Sequence, residues 1–232
     1  MRTLLAPFVL CLAPVIACAQ SEVVQPAKAE KATEIRTLAL KPGSSLKVKN
    51  VNGAVRLEAW DREEVEFRGE FKPSSRDEHV KVVIDRTGSG LEIRGEVPKG
   101  TGSTRGPECR MDLKVPRRVL AAISTVNGSI SLKGTLGEST LESVNGSVSA
   151  TTHGEGLHAK TVNGGIQVES IQGEVHLKTV NGGIVAKDLD TQGKAFEAST
   201  VNGGVHLQAA GLKGRLEATT LNGGLSLKAK GA

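Results

Sequence analysis

The sequence predicts an all-β chain built as a parallel β-solenoid, right-handed and β-helix-like, with coils of 18–21 residues and an irregular β region acting as its N-terminal cap. Three observations predict it. The segment TVNGGI at 161–166 recurs in six plain copies centred on Asn127, Asn145, Asn163, Asn181, Asn202 and Asn222, at intervals of 18, 18, 18, 21 and 20 residues. Around each copy, apolar and polar residues alternate with a period of two, the pattern of half-buried strands. The extra residues of the two longer coils fall at a second, variable turn, near Gln192-Gly193 and Lys213-Gly214, and spare the Asn-Gly corner, as stacked coils allow.

The chain opens with an apolar run at 4–16, behind the lone basic Arg2 and ahead of a small-residue end, Ala17-Cys18-Ala19. This reads as a signal peptide over 1–19, too short and too broken by Pro7 and Pro14 to be a transmembrane helix. Two processing routes fit. Cleavage at Ala17-x-Ala19, the favoured one, releases a soluble chain starting near Gln20, whereas VIAC at 15–18 resembles a lipobox and would make Cys18 a lipidated first residue. Both imply export, to the periplasm or the exterior, the second as an outer-membrane lipoprotein held by a lipid anchor. Residues 20–34 have no sustained period and are rich in Ala, Lys and Glu, so they are expected to form a flexible tether.

From 35 to 123 the chain alternates over short runs, as at Val55 and Leu57, Val65 and Phe67, Val80 and Val82, and Leu91 and Ile93. Lys72-Pro73-Ser74-Ser75 reads as a turn and Thr87-Gly88-Ser89-Gly90 as a hairpin, while 95–107 is the longest loop-like stretch and the expected mobile one. One degenerate coil is legible in this part: LKVKNVNGAVRL at 46–57 aligns without gaps to VHLKTVNGGIVA at 175–186, adding Asn52 to the corner series. Cys109 shares its parity with Met111, Leu113 and Val115, which places the thiol on a strand's inward face as a small apolar residue. With Cys11 in the leader and Cys18 removed or lipidated, no intramolecular disulfide is available.

The repeat part, 124–232, holds about six coils. Its structural corner is Asn52, Asn127, Asn145, Asn163, Asn181, Asn202 and Asn222, followed by Gly128, Gly146, Gly164, Gly182, Gly203 and Gly223. Asn-Gly is also a hairpin signal because both residues tolerate positive φ, so an antiparallel meander competes. A meander does not explain why the preceding Thr and the following Gly or Ser keep one register over six copies, whereas stacked parallel coils require it and let the amides bond in a ladder. Val175, Leu177 and Thr179, then Ile184 and Ala186, should point inward, with Leu157, Ala159, Phe196, Ala198, Leu216 and Ala218 as equivalents. Val126, Val144, Val162, Val180, Val201 and Leu221 lie on the opposite parity: they form an exposed apolar stripe unless the corner turns them inward, and burial is the favoured expectation. Lys228 and Lys230 put charge on the last strand, so the chain is expected to be a monomer or to associate weakly end to end.

Composition narrows the function classes. The formal charge is +5, Lys and Arg are interleaved with Glu and Asp, Tyr is absent and Trp60 is the only tryptophan, which argues against nucleic-acid binding. A carbohydrate-active β-helix enzyme, a lyase or hydrolase, would need convergent carboxylates or a calcium cluster, yet after Asp112 the only aspartates are Asp188 and Asp190. That degenerate enzyme is the alternative reading, and no catalytic residue or cofactor is assigned. His158 and His176 occupy equivalent places in adjacent coils, about 5 Å apart on the outer face. Their equivalents are Thr140, Glu197 and Glu217, with Glu197 a marginal third ligand, so solvated histidines are preferred and no metal site is assigned.

The leader, the Val-Pro-Arg step at 115–117 and the repeated Ser/Thr-x-Asn-Gly-x-Ile/Val pattern together resemble the bacterial putative adhesin family of β-strand-repeat domains, over about 46–227 and most clearly from Val115 onward. The resemblance implies a right-handed parallel β-solenoid on an exported or envelope-attached protein, a domain of unknown function with no catalytic residues to carry over. It leads to the expectation of a non-catalytic binding or structural module of the cell envelope, with an unidentified protein or polymer partner.

Overall fold

Alternating side chains on nearly every strand leave one face apolar, and the structure, a computed structural model, buries those faces between two sheets. It describes residues 21–26, 32–74, 80–97, 106–209 and 213–229. The leader with Cys18, most of the 95–107 loop and Lys230 lie outside the described residues.

The chain opens with β1 (Ser21–Val24) and β2 (Ala32–Ala39), then makes a first coil from β3 (Ser45–Asn52) and β4 (Val55–Trp60). It continues through β5 (Glu64–Lys72), β6 (Lys81–Thr87), β7 (Gly90–Glu96) and β8 (Glu108–Pro116). Six further two-strand coils follow: β9 (Leu120–Asn127) with β10 (Ile130–Lys133), β11 (Ser139–Asn145) with β12 (Val148–His153), β13 (Gly156–Asn163) with β14 (Ile166–Ile171), β15 (Glu174–Asn181) with β16 (Ile184–Leu189), β17 (Phe196–Asn202) with β18 (Val205–Ala209), and β19 (Leu216–Asn222) with β20 (Leu225–Ala229). One ten-stranded sheet runs β1-β6-β7-β3-β9-β11-β13-β15-β17-β19 and the other β2-β5-β8-β4-β10-β12-β14-β16-β18-β20. Along the stack from β3 and β4 to β19 and β20 every pairing is parallel, Asn on Asn and apolar on apolar, and in register except between β16 and β18, where it shifts after Ala186. The fold is a parallel β-solenoid, not a meander. Ten strands deep at the usual spacing, the stack is about 43 Å long.

The core is one continuous apolar column. Leu157, Ala159, Val175, Leu177, Phe196 and Ala198 from one sheet meet Ile166, Val168, Ile184, Ala186, Val205 and Leu207 from the other, all buried. On the last coil Leu216 and Ala218 point the same way but are only half-buried, and Leu225 and Leu227 are exposed, because no described strand lies beyond them.

The N-terminal end is closed by antiparallel pairing: β5 lies against β8 and β2 against β5 in one sheet, β6 against β7 and β1 against β6 in the other. The β6–β7 turn falls at the Gly88 hairpin signal. Two of the three phenylalanines among the described residues lie here, Phe67 and Phe71, fully buried on either side of Gly69, where an added Cβ would sit 2.9 Å from each ring. Two features depart from the sequence reading. Within the stretch expected to be a flexible tether, Ser21–Val24 is a strand with Val24 buried, and β2 begins at Ala32; a four-residue strand is too short to display a period. A second early coil also exists, since β7 pairs parallel with β3 and β8 with β4. The sequence that joins β7 to β8 lacks Asn-Gly, the signal that would have shown the pairing.

The Asn-Gly corner and the outer faces

Each residue of the Thr-Val-Asn-Gly corner has a separate task. The Thr points inward and its hydroxyl donates to the Gly carbonyl of the preceding coil: Thr161 to Gly146 at 2.8 Å, Thr179 to Gly164 at 2.9 Å, Thr200 to Gly182 at 2.9 Å and Thr220 to Gly203 at 2.8 Å, with Ser143 to Gly128 at 3.0 Å. Thr125 is buried without such a partner, and the Gly53 carbonyl beneath it accepts from Asn50 Nδ2 instead. The Asn points outward, and its Nδ2 donates to Oδ1 of the Asn one coil back. Six such bonds of 2.8–2.9 Å join Asn52, Asn127, Asn145, Asn163, Asn181, Asn202 and Asn222 into one ladder. At its start Asn52 donates to the Pro107 carbonyl, tying the ladder to the cap.

The Gly is required by stacking rather than by φ. Among the corner glycines only Gly53 has a positive φ, at 121°. At Gly128, Gly146, Gly164, Gly182, Gly203 and Gly223 an added Cβ would lie 2.0–2.3 Å from the glycine carbonyl of the coil beneath. The next position is roomier, with Gly183 O 3.2 Å from a Cβ at Gly165, and there the sequence tolerates Ser129, Ser147 and Ala54. Left-handed backbone sits at the variable turn instead, in the column Gly134, Thr152, Ser170 and Asp188 (φ 49–79°) and at Glu155, Gln192 and Gly193.

The expected burial of the valine column is overturned. Val126 and Val144 are 41% exposed, Val201 37% and Leu221 75%, and Val162 and Val180 are half-buried. The strand keeps strict alternation up to the corner, so a residue between an inward Thr and the corner Asn has to face outward. An apolar stripe therefore runs beside the amide ladder along one edge of the rod.

The outer face of the β9–β19 sheet carries the histidines. His158 and His176 are paired in register, and their rings stack with centroids 4.7 Å apart and planes 11° apart. His176 Nδ1 lies 3.0 Å from Glu197 Oε2 and its Nε2 lies 2.9 Å from Glu174 Oε1; His158 Nε2 is 3.9 Å from Glu138 Oε1. The Glu174 hydrogen bond above all raises the His176 pKa, with Glu197 adding to it, and His176 in return lowers that of Glu174. In-register reasoning reached Glu197 and missed Glu174 and Glu138. Glu174 is two residues before His176, so strand parity alone carried the signal. Thr140, the register partner of His158, and Glu217, the register partner of Glu197, continue the same column.

Cys109 is fully buried with no disulfide, and burial, then the nearby Glu108, pushes its thiol up to about 12. It is a packing residue. Trp60 donates from Nε1 to the Glu64 carbonyl at 2.8 Å, with the Arg62 guanidinium 4.8 Å above its ring. No helix among the described residues is long and apolar enough to cross a membrane.

No family model matches the chain, and no curated protein matches it. Among solved structures it is similar to a crystal structure of a putative cell adhesion protein from Clostridium sporogenes, with 11% identity, a TM-score of 0.44, and coverage of 86% of this chain and 100% of that one.

Proposed function

We propose that this chain is a non-catalytic, exported binding module of the bacterial envelope, an adhesin-like rod that presents repeated side chains to a protein or polymer. The observation that carries the reading is the exposed valine column beside the asparagine ladder. Val126, Val144, Val201 and Leu221 lie more than a third open to solvent on a parallel stack, in register with the exposed asparagines of the corner. A continuous apolar stripe edged with polar groups is the surface composition of a recognition site. Export rests on the leader, and lipidation at Cys18 would tether the rod.

The test is binding of the purified chain to fractionated envelope material, peptidoglycan sacculi and outer-membrane vesicles, beside a variant carrying Val126→Lys, Val144→Lys and Val201→Lys. Retention on one fraction by the parent and its loss in the variant, with the far-UV spectrum of β structure unchanged, is the expected result. Equal retention of both proteins would remove the stripe from the account. Release of reducing ends or unsaturated sugars from the polymer would replace it with the carbohydrate-active enzyme.

A further inference from the structure

We infer that Glu174, His176 and His158 form a divalent transition-metal site on the outer face of the β9–β19 sheet, with zinc the ion that suits it best, Glu197 as the orienting partner of His176 and Glu138 as a fourth ligand. The placement follows from strand geometry. Glu174 and His176 are i and i+2 on β15, so they share a face about 7 Å apart, and His158 stands beside His176 on β13, about 4.8 Å away. Three donors at the corners of such a triangle lie within reach of one ion.

The two imidazoles start side by side, their rings stacked with centroids 4.7 Å apart, so their in-plane lone pairs run parallel and one ring has to tilt before both nitrogens meet one ion. Zinc bonds of about 2.0–2.2 Å to nitrogen and oxygen separate adjacent donor atoms by about 3 Å, and His176 Nε2 and Glu174 Oε1 stand 2.9 Å apart, so an ion can take the place of the proton between them. The opposite nitrogen of His176 contacts Glu197 at 3.0 Å. A carboxylate on the far nitrogen fixes the tautomer that leaves Nε2 free and raises its basicity, the outer-shell arrangement of metal-bound histidines.

Room for the ion comes from Gly156, aligned with Glu174 in the strand ladder and, from the adjoining pair, with Glu138. It leaves the space between the two carboxylates unfilled; a Cβ there would stand 3.6 Å from Glu138 Cγ. His153 Nε2, 2.8 Å from the Gly156 carbonyl, holds this stretch of backbone. Two carboxylates and two neutral imidazoles compensate a dication and match the nitrogen and oxygen preference of zinc. As the side chains stand, no three His, Cys, Asp or Glu donors among the described residues are arranged to hold a metal ion. Closing the site takes rotation of the Glu138 and Glu174 carboxylates, 65% and 49% exposed, and a tilt of the His158 ring, 44% exposed, with no movement of the strands.

The experiment is calorimetric titration of the full chain, without an affinity tag, with zinc chloride near neutral pH, repeated on His158→Asn plus His176→Asn, on Glu197→Gln and on His206→Asn. One equivalent taken up by the parent and by His206→Asn, none at that site by the double variant, and an affinity lowered about 10- to 100-fold in Glu197→Gln are expected. Uptake should also fade as the pH is lowered and protons compete for the imidazoles. No stoichiometric uptake by the parent, or undiminished uptake by the double variant, overturns the site. All four altered side chains are on the surface, and the β spectrum in the far ultraviolet checks that each variant is folded. The result is independent of envelope binding, which the valine variant reads separately.

Discussion

His153 shows how one buried polar residue ties stability to pH. It is 2% exposed, with Nδ1 2.8 Å from the Thr135 hydroxyl and Nε2 2.8 Å from the Gly156 carbonyl. A carbonyl only accepts, so Nε2 carries the proton and Nδ1 accepts from Thr135, which describes a neutral imidazole. Burial pushes its pKa below the ordinary 6.5, against smaller opposing contributions from its hydrogen-bonding partners and Glu155. The unfolded chain then binds the extra proton, so the contribution is complete above about pH 6.5 and is lost as the pH falls through the depressed value. His176 acts in the opposite sense: its raised pKa gives stability that is complete below about 6.5 and lost as the pH rises through the raised value. His153→Ala should therefore cost about 1–3 kcal/mol at pH 8, and its deficit against the parent in urea unfolding should shrink at pH 5. A deficit that stays constant between those pH values would mean that His153 is not held neutral.

At the scale of the coil, the corner is defined by what the neighbouring coil permits. Gly164→Ala places a methyl 2.3 Å from the Gly146 carbonyl and should destabilise by about 3 kcal/mol or more, as overpacking against backbone with no side chain to yield. Gly165→Ala meets the Gly183 carbonyl at 3.2 Å, at a position where other coils carry Ser or Ala, and should cost under about 1 kcal/mol. Thermal unfolding of the two variants side by side checks the contrast, and equal losses would return the corner to a φ-based explanation. The motif's recurrence was legible in the sequence, but its cause was not: Asn-Gly suggests positive φ, whereas the clash that excludes a side chain exists only between coils. For the same reason the carboxylates around His176 were half seen. Glu197 was found by stacking one column, while Glu174 is shown only by alternation along β15, and Glu138 needs that alternation and alignment across strands at once.

At the scale of the whole molecule, the rod is asymmetric. Its N-terminal end is covered by antiparallel strands that bury Phe67 and Phe71, and between cap and last coil the same parallel pairing and ladder bond recur coil after coil, joined from Ser143 onward by the hydroxyl-to-Gly bond. Stability in such a stack is close to a sum of coil and nearest-neighbour contributions. The rod's place in the cell is a matter for its first twenty residues. Intact mass of the protein from its host is expected to begin near Gln20 in the fluid fraction if the leader is cleaved at Ala19, or at an acylated Cys18 in membranes if the lipobox is used; a mass that retains Met1 would count against export.

The sequence by itself determined the class of fold, the parallel register and the membership of the inward columns, because a repeat whose every copy keeps alternation and spacing has few ways to bury its apolar face. It also supplied Asn52 as a corner from a degenerate copy. Tertiary structure alone decided three things. It kept the valine column outside, since strand parity persists up to the corner. It made a strand of Ser21–Val24, which only its partner β6 defines. And it brought Glu138 and Glu174 to the stacked histidines, beside the Glu197 that the repeat register had already placed there. Each depends on a distance between coils or strands, which the order of residues along one chain does not contain until the stack is formed.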